Sequence, residues 1–327
     1  MRRYQGLFAG LPAPKPEAAA AAVLVTLLLA ATPVHGAPKL DALPLHTAFD
    51  LAATRHETGS SNPVAATEDA KWNEVHQRAQ LLWQSEAEQS NATEILMLLR
   101  QAAEAGHAAS QNLLGRFHDK GRLIARDAVE AVKWYERAAQ QGLVSAQLNM
   151  ALMYRAGTGV PRDQARAFGW FERAAQRNSR EAQYMLAVML EDGVGTERDA
   201  ASAMRWYARA AEQGHVPSQH NLAVAYATGA GDLRNEAAAV KWYRQAAANG
   251  QPKSQLQLAL ALAEGRGARR NEAEAYVWAR AAAANGWSDR ALRQSADALA
   301  TRLERILSPA QLDKARADAE ARLKHRG

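Results

Sequence analysis

Hydrophobic and polar positions in this chain recur every 36 residues, a spacing set by Trp134, Trp170, Trp206, Trp242 and Trp278. In the same register run the alanine pairs Ala102-Ala103, Ala138-Ala139, Ala174-Ala175, Ala210-Ala211, Ala246-Ala247 and Ala282-Ala283. Around the first of these tryptophans, Ala131, Trp134, Tyr135, Ala138 and Ala139 fall on one face at 100° per residue, which predicts an amphipathic helix whose small residues admit a close neighbour. Gly106, Gly142, Asn178, Gly214, Gly250 and Gly286 follow the alanine pairs. Glycine and asparagine both tolerate the left-handed conformation that closes a helix, so this column predicts the end of a first helix in each unit.

A second helix follows in each unit, marked by Gln111, Gln147, Gln183, Gln219 and Gln255 and, three residues on, by Leu114, Met150, Leu186, Leu222 and Leu258. It is broken by Gly157-Thr158-Gly159, Gly193-Val194-Gly195, Gly229-Ala230-Gly231 and Gly265-Arg266-Gly267, whereas the first unit carries Gly121-Arg122-Leu123. Asn91, Asp127, Asp163, Asp199, Asn235 and Asn271 stand where an N-cap starts the next first helix, and Glu94, Glu130 and Glu274 are placed to complete capping boxes. The glycine-x-glycine segments read as turns. None follows a strand or carries the lysine and hydroxyl of a phosphate cradle.

These columns resemble the Sel1-like repeat family, whose units of about 36 residues are helix pairs with an alanine pair, a helix-ending glycine and a glycine-x-glycine loop before an acidic cap. The resemblance covers residues 91–286: units 91–126, 127–162, 163–198, 199–234 and 235–270, and a half unit 271–286. It implies an all-α fold, a right-handed α/α solenoid of helix-turn-helix repeats that acts as a protein-interaction scaffold. Bacterial relatives are often exported. One helix pair cannot bury its apolar face alone, so stacking must do so, and the ends need capping helices. Residues 68–90, with Trp72, Val75, Ala79, Leu82 and Trp83 at helical spacing, are the expected N-terminal cap. Residues 287–327 are the C-terminal one, with Leu292, Ala296, Leu299, Leu303 and Leu307 in a first helix and a second that starts at Ser308-Pro309.

Ahead of this body, Arg2, Arg3 and Lys15 precede an uncharged run from Ala18 to Ala31. Fourteen helical residues span roughly 21 Å, short of the roughly 30 Å hydrocarbon core, so residues 1–36 are expected to be a signal peptide cut after Gly36. An uncleaved inner-membrane anchor is the alternative. Residues 37–67 are the expected flexible linker, and the mature protein would be periplasmic or secreted, with no stable membrane insertion once cut.

Composition narrows the chemistry. The absence of cysteine removes disulfides, thiolate metal sites and cysteine nucleophiles. No Gly-x-Ser-x-Gly, His-Glu-x-x-His, Ser-x-x-Lys or P-loop motif occurs. His215 and His220, five apart, lie roughly 140° around a helix and do not share a metal. No catalytic residue, metal or cofactor is therefore expected. The net charge of +6 is too modest for a nucleic-acid partner.

Two basic columns are left as candidate surfaces. Lys133, Arg137, Arg173, Arg205, Arg209 and Lys241 are expected on the side of the first helices opposite the tryptophans. In solenoids of paired helices the first helix commonly lines the concave surface, so this column would seat an acidic partner protein. Arg126, Arg162, Arg198, Arg234 and Arg270, each just before a cap residue, form a ladder along one edge, either pairing with Asp127, Asp163 and Asp199 or open to a partner. The tryptophans either fill the inter-repeat core or line an aromatic groove. The expected function is an exported interaction scaffold; the alternatives are an envelope polysaccharide or polyanion binder and a periplasmic hydrolase.

Overall fold

The structure, a computed structural model of the full chain, describes residues 63–84, 91–229, 234–286 and 288–324, all within the unit that runs from Pro44 to Gly327. The expected signal peptide, most of the linker, residues 85–90 of the expected cap, and Ala230 and Gly231 of the third glycine pair lie outside the described residues.

Fourteen helices account for 78% of the described residues, with no strand among them. A leading helix, α1 (Pro63–Gln84), precedes five helix pairs. These are α2 (Ala92–Glu104) with α3 (Ala108–Lys120), α4 (Ala128–Gln140) with α5 (Val144–Ala156), α6 (Gln164–Gln176) with α7 (Arg180–Asp192), α8 (Ala200–Glu212) with α9 (Val216–Thr228), and α10 (Glu236–Ala248) with α11 (Pro252–Glu264). The sixth first helix, α12 (Glu272–Asn285), is followed by α13 (Arg290–Glu304) and α14 (Pro309–Lys324). From α1 to α12 each helix packs against the next in the chain, and α14 folds back onto α12, an all-α solenoid.

Each sequence column has an identifiable stereochemical task. The carbonyls of the alanine pair accept the N–H groups of the helix-ending residue and of the residue after it: at Ala139 and Ala138 these bonds measure 3.0 and 3.2 Å. That closure is the doubly bonded C-terminal motif, which requires a positive φ. Gly142, Asn178 and Gly214 supply it at +88°, +66° and +81°. Gly286 departs with φ −88°, because α12 runs one residue longer and leads into α13 rather than into a second helix. The column glutamines tie the helices of a pair together, Nε2 of Gln111, Gln147, Gln183, Gln219 and Gln255 each donating to the carbonyl of the second alanine at 3.0–3.3 Å.

Side chains of Asp127, Asp163, Asp199, Asn235 and Asn271 accept from the first-turn N–H groups at 2.9–3.0 Å, as N-caps do. The expected capping boxes do not form. At these five caps the residue's own N–H donates at 2.9 Å to a carbonyl nine residues earlier in the preceding second helix, His118, Tyr154, Leu190, Tyr226 or Leu262, leaving no donor for Glu130 or Glu274. Glu94, Glu130 and Glu274 pair with Arg78, Lys133 and Arg244 instead. A reciprocal box does form at Ser308 and Gln311, ahead of α14.

Unit one differs at both ends of its loop. Asn91 has φ −95° and ψ 2° rather than the extended backbone of the other caps, and its side chain makes no cap bond. Leu123, with φ +60°, stands where Gly159, Gly195 and Gly267 touch the first turn of their own unit's first helix. Ala92, beside Asn91, is the first-turn residue at the repeat position of Ala128.

Candidate functional site

The aromatic centre of the repeat core is one residue beyond the tryptophans. Tyr135, Phe171, Tyr207 and Tyr243 are buried, Phe171 at 0% exposure, whereas Trp170, Trp206 and Trp242 are half-buried and only Trp134 and Trp278 are closed off. The tryptophan column is therefore the rim of the core.

On that rim lies part of the basic column expected on the opposite side. The Arg137 guanidinium sits 4.7 Å from the ring centre of Trp134, Arg173 4.5 Å from Trp170 and Arg209 4.7 Å from Trp206, and the Lys241 ammonium sits 5.6 Å from Trp242. The geometry follows from spacing: three residues turn a helix by 300°, so an arginine at i+3 lies 60° from its tryptophan, not 180°. Each such contact contributes about 0.5–1 kcal/mol at an exposed site and restrains the cation beside its ring. Arg137, Arg173 and Arg209 have no ion-pair partner among the described residues. Lys133 and Arg205 lie on the preceding turn and are locally engaged, Lys133 with Glu130 at 2.9 Å and Arg205 with Ser202 at 2.7 Å. The hydrogen bond it donates to the Glu130 carboxylate holds the Lys133 ammonium above its ordinary pKa, so it stays charged.

The arginine ladder is occupied differently. Arg126 and Arg198 donate from Nε at 2.9 Å to the carbonyls of Asp119 and Glu191 near the C-termini of α3 and α7. Arg234 and Arg270 pair with Glu236 and Glu272 at 2.9 and 2.6 Å, and Arg162 reaches the Gln164 side chain once that amide is oriented to accept. The expected partners Asp127, Asp163 and Asp199 are committed to capping. This ladder secures the loops and leaves fewer donors for a ligand than the tryptophan rim does.

His215 caps α9 and bonds the Ser218 hydroxyl at 2.8 Å, and His220 bonds that of Ser254 at 2.8 Å across to the next unit. Burial pushes both imidazoles down to about 4, so they are neutral packing groups at ordinary pH. Among the described residues no three His, Asp or Glu side chains cluster as a metal site would require. A network that the sequence reading missed links successive units: Gln141 and Gln213 donate at 2.7 Å to Oε1 of Gln111 and Gln183, and Asn285 donates at 3.0 Å to Gln255. Gln141, Gln213 and Asn285 share one repeat position, and its 36-residue spacing was the signal available in the sequence.

Helix pairs of 36 residues, stacked by alanine columns and bearing one basic aromatic rim, define a repeat-scaffold class of protein. Within it the family is specific. The Sel1 repeat matches residues 96–107, 108–143, 144–179, 180–215, 216–251 and 252–287, more than half of the chain, and the chain belongs to the Sel1 repeat family. Among solved structures it is similar to c5321, a protective antigen of uropathogenic Escherichia coli with an SLR fold, at 27% identity and a TM-score of 0.65 over 80% of this chain and 56% of that one. The chain thus spans little more than half the length of that protein. A Sel1 repeat protein from Oxalobacter formigenes is similar at 26% identity and a TM-score of 0.55, over 78% of this chain and 96% of that one. No curated protein matches the chain significantly. Sel1-repeat proteins are generally protein-interaction scaffolds, and the solenoid fold is typically non-catalytic.

Proposed function

We propose that this chain is an exported, non-catalytic scaffold that holds a partner protein against the concave face formed by its first helices. The observation that carries the reading is the row of Arg137, Arg173 and Arg209, each laid on a tryptophan of its own helix and each without an ion-pair partner among the described residues. Stacked guanidinium groups are already ordered, so pairing with carboxylates costs little side-chain entropy, and a repeat places one in each successive unit. An extended acidic segment is the complementary ligand.

Affinity capture of the partner by the intact chain tests this directly. Reversing Lys133, Arg137, Arg205 and Arg209 to Glu should cut partner retention at least tenfold while helicity stays unchanged, whereas reversing Arg234 and Arg270 should leave retention intact. Equal loss in both sets, or displacement of the partner by any soluble polyanion alike, would count against a specific face.

Export rests on Arg2, Arg3 and the apolar run from Ala18 to Ala31. No helix of the described residues is long and apolar enough to cross a membrane. Sequencing the N-terminus of the mature protein should give Ala37 as its first residue, and finding only full-length protein in the cytoplasm would contradict export.

A further inference from the structure

The network between units is broken at two junctions; at one, Asn249 donates to the Gln245 carbonyl and Gln219 Oε1 is left unpaired. Gln141 and Gln213 each reach back to the buried glutamine of the preceding unit, but the equivalent residue between them is Arg177. Gln147, the glutamine that a residue at 177 would satisfy, is 4% exposed; its Nε2 is bound to the Ala139 carbonyl, and its Oε1 has no partner. A buried acceptor left unpaired costs about 1–3 kcal/mol.

Arg177 does not fill the gap. Its guanidinium lies against Gly142, where even a Cβ would crowd it, and it has no hydrogen-bond or ion-pair partner among the described residues. Gln147, Arg173 and Arg177 line, together with Gln140, Gly142 and Gln176, a recess of about 370 Å³. The equivalent recess one unit on, about 290 Å³, differs chemically: Gln213 donates to Gln183 and to Asn178, and its lining includes the acid Glu212 as well as Arg209. The recess at Arg177 thus holds two unpaired cations, no acid and an unsatisfied buried acceptor.

We propose that this recess binds the carboxy-terminal residue of a peptide chain, its carboxylate on Arg173 and Arg177 and its last amide N–H donating to Gln147 Oε1. A ligand that satisfies the recess must bring an anion and an N–H donor close together, and the last residue of a peptide carries both across a single Cα. Acetate and inorganic phosphate lack the N–H donor. Glycine at 142 leaves the space in which Arg177 lies. The proposal rests on reading the first-helix face as a protein-binding surface, and it narrows that reading to one end of the partner.

The test uses the purified mature chain and fluorescein-labelled pentapeptides, randomised at their last two positions, with either a free or an amidated carboxy-terminus. The free acids should bind at least tenfold more tightly by fluorescence anisotropy, and N-acetylalanine should compete better than acetate or phosphate. Arg177→Gln installs the residue found at 141 and 213, so it should fold with unchanged helicity, satisfy Gln147 and lower free-acid affinity at least tenfold. Equal binding of acid and amide, wild-type affinity in Arg177→Gln, or phosphate outcompeting N-acetylalanine would each overturn the proposal. Peptide binding is read without the partner and at residues outside the charge-reversal set. Loss of one result therefore leaves the other to stand or fall alone.

Discussion

Gly195→Ala should destabilise the solenoid by about 3 kcal/mol or more, among the largest effects of any single added methyl in the repeats. Two costs coincide there. Gly195 has φ +73°, a conformation that costs an L-residue about 1–2 kcal/mol. A Cβ at that position would also overlap the carbonyl of Gln164 in the first turn of α6, which only backbone movement relieves, adding about 1–3 kcal/mol of overpacking. Gly159 and Gly267 meet the carbonyls of Ala128 and Glu236 in the same way. Gly214 separates the two terms: its φ is +81°, but nothing lies within 4 Å of an added Cβ, so Gly214→Ala should cost only about 1–2 kcal/mol. Urea unfolding followed by far-ultraviolet circular dichroism measures both. Equal losses would mean that the second glycine of each loop is there for its backbone conformation alone.

The second large effect is at Phe171. It is fully buried between repeats, and Phe171→Ala should cost about 3–5 kcal/mol, as deletions of buried aromatics do. Its neighbour Trp170, larger but half-buried on the rim, should cost less than half as much when truncated. A solenoid unit is stabilised mainly by its neighbours, so the Phe171 defect should spread to adjacent helices and lower helicity beyond one pair. Trp170→Ala should leave helicity near wild type while removing the platform under Arg173. If the two truncations cost the same, the tryptophan column belongs to the core and its arginines lose their special status.

The repeat was legible because each column answers a local demand: a small pair where helices approach, a left-handed closure at Gly142 or Asn178, a cap at Asp127. Such demands fix residue type without reference to distant chain. What the sequence reading misplaced depends on geometry between elements. The tryptophans are the most conspicuous residues, yet packing put Tyr135, Phe171, Tyr207 and Tyr243 at the centre. Arg137 and Arg173 were assigned to the wrong side of their helices, an error that the 100° rotation per residue corrects. The capping boxes at Glu130 and Glu274 failed because a carbonyl nine residues away competes for the same N–H, a contact that no local motif encodes. Arg177 was visible as a break in a glutamine column, but its meaning needed the unpaired Gln147 and the open Gly142 beside it.

Site-specific photocrosslinking in the native cell tests the central claim most directly. A photoreactive residue is placed singly at exposed positions on the first-helix face, Gln140, Glu172 and Gln176, and at exposed positions on the arginine-ladder edge, Pro161, Glu197 and Arg269. The account predicts one discrete protein adduct from the three first-helix positions and none from the ladder edge. An adduct formed only at the ladder edge would contradict it, and so would equal, diffuse labelling from all six positions.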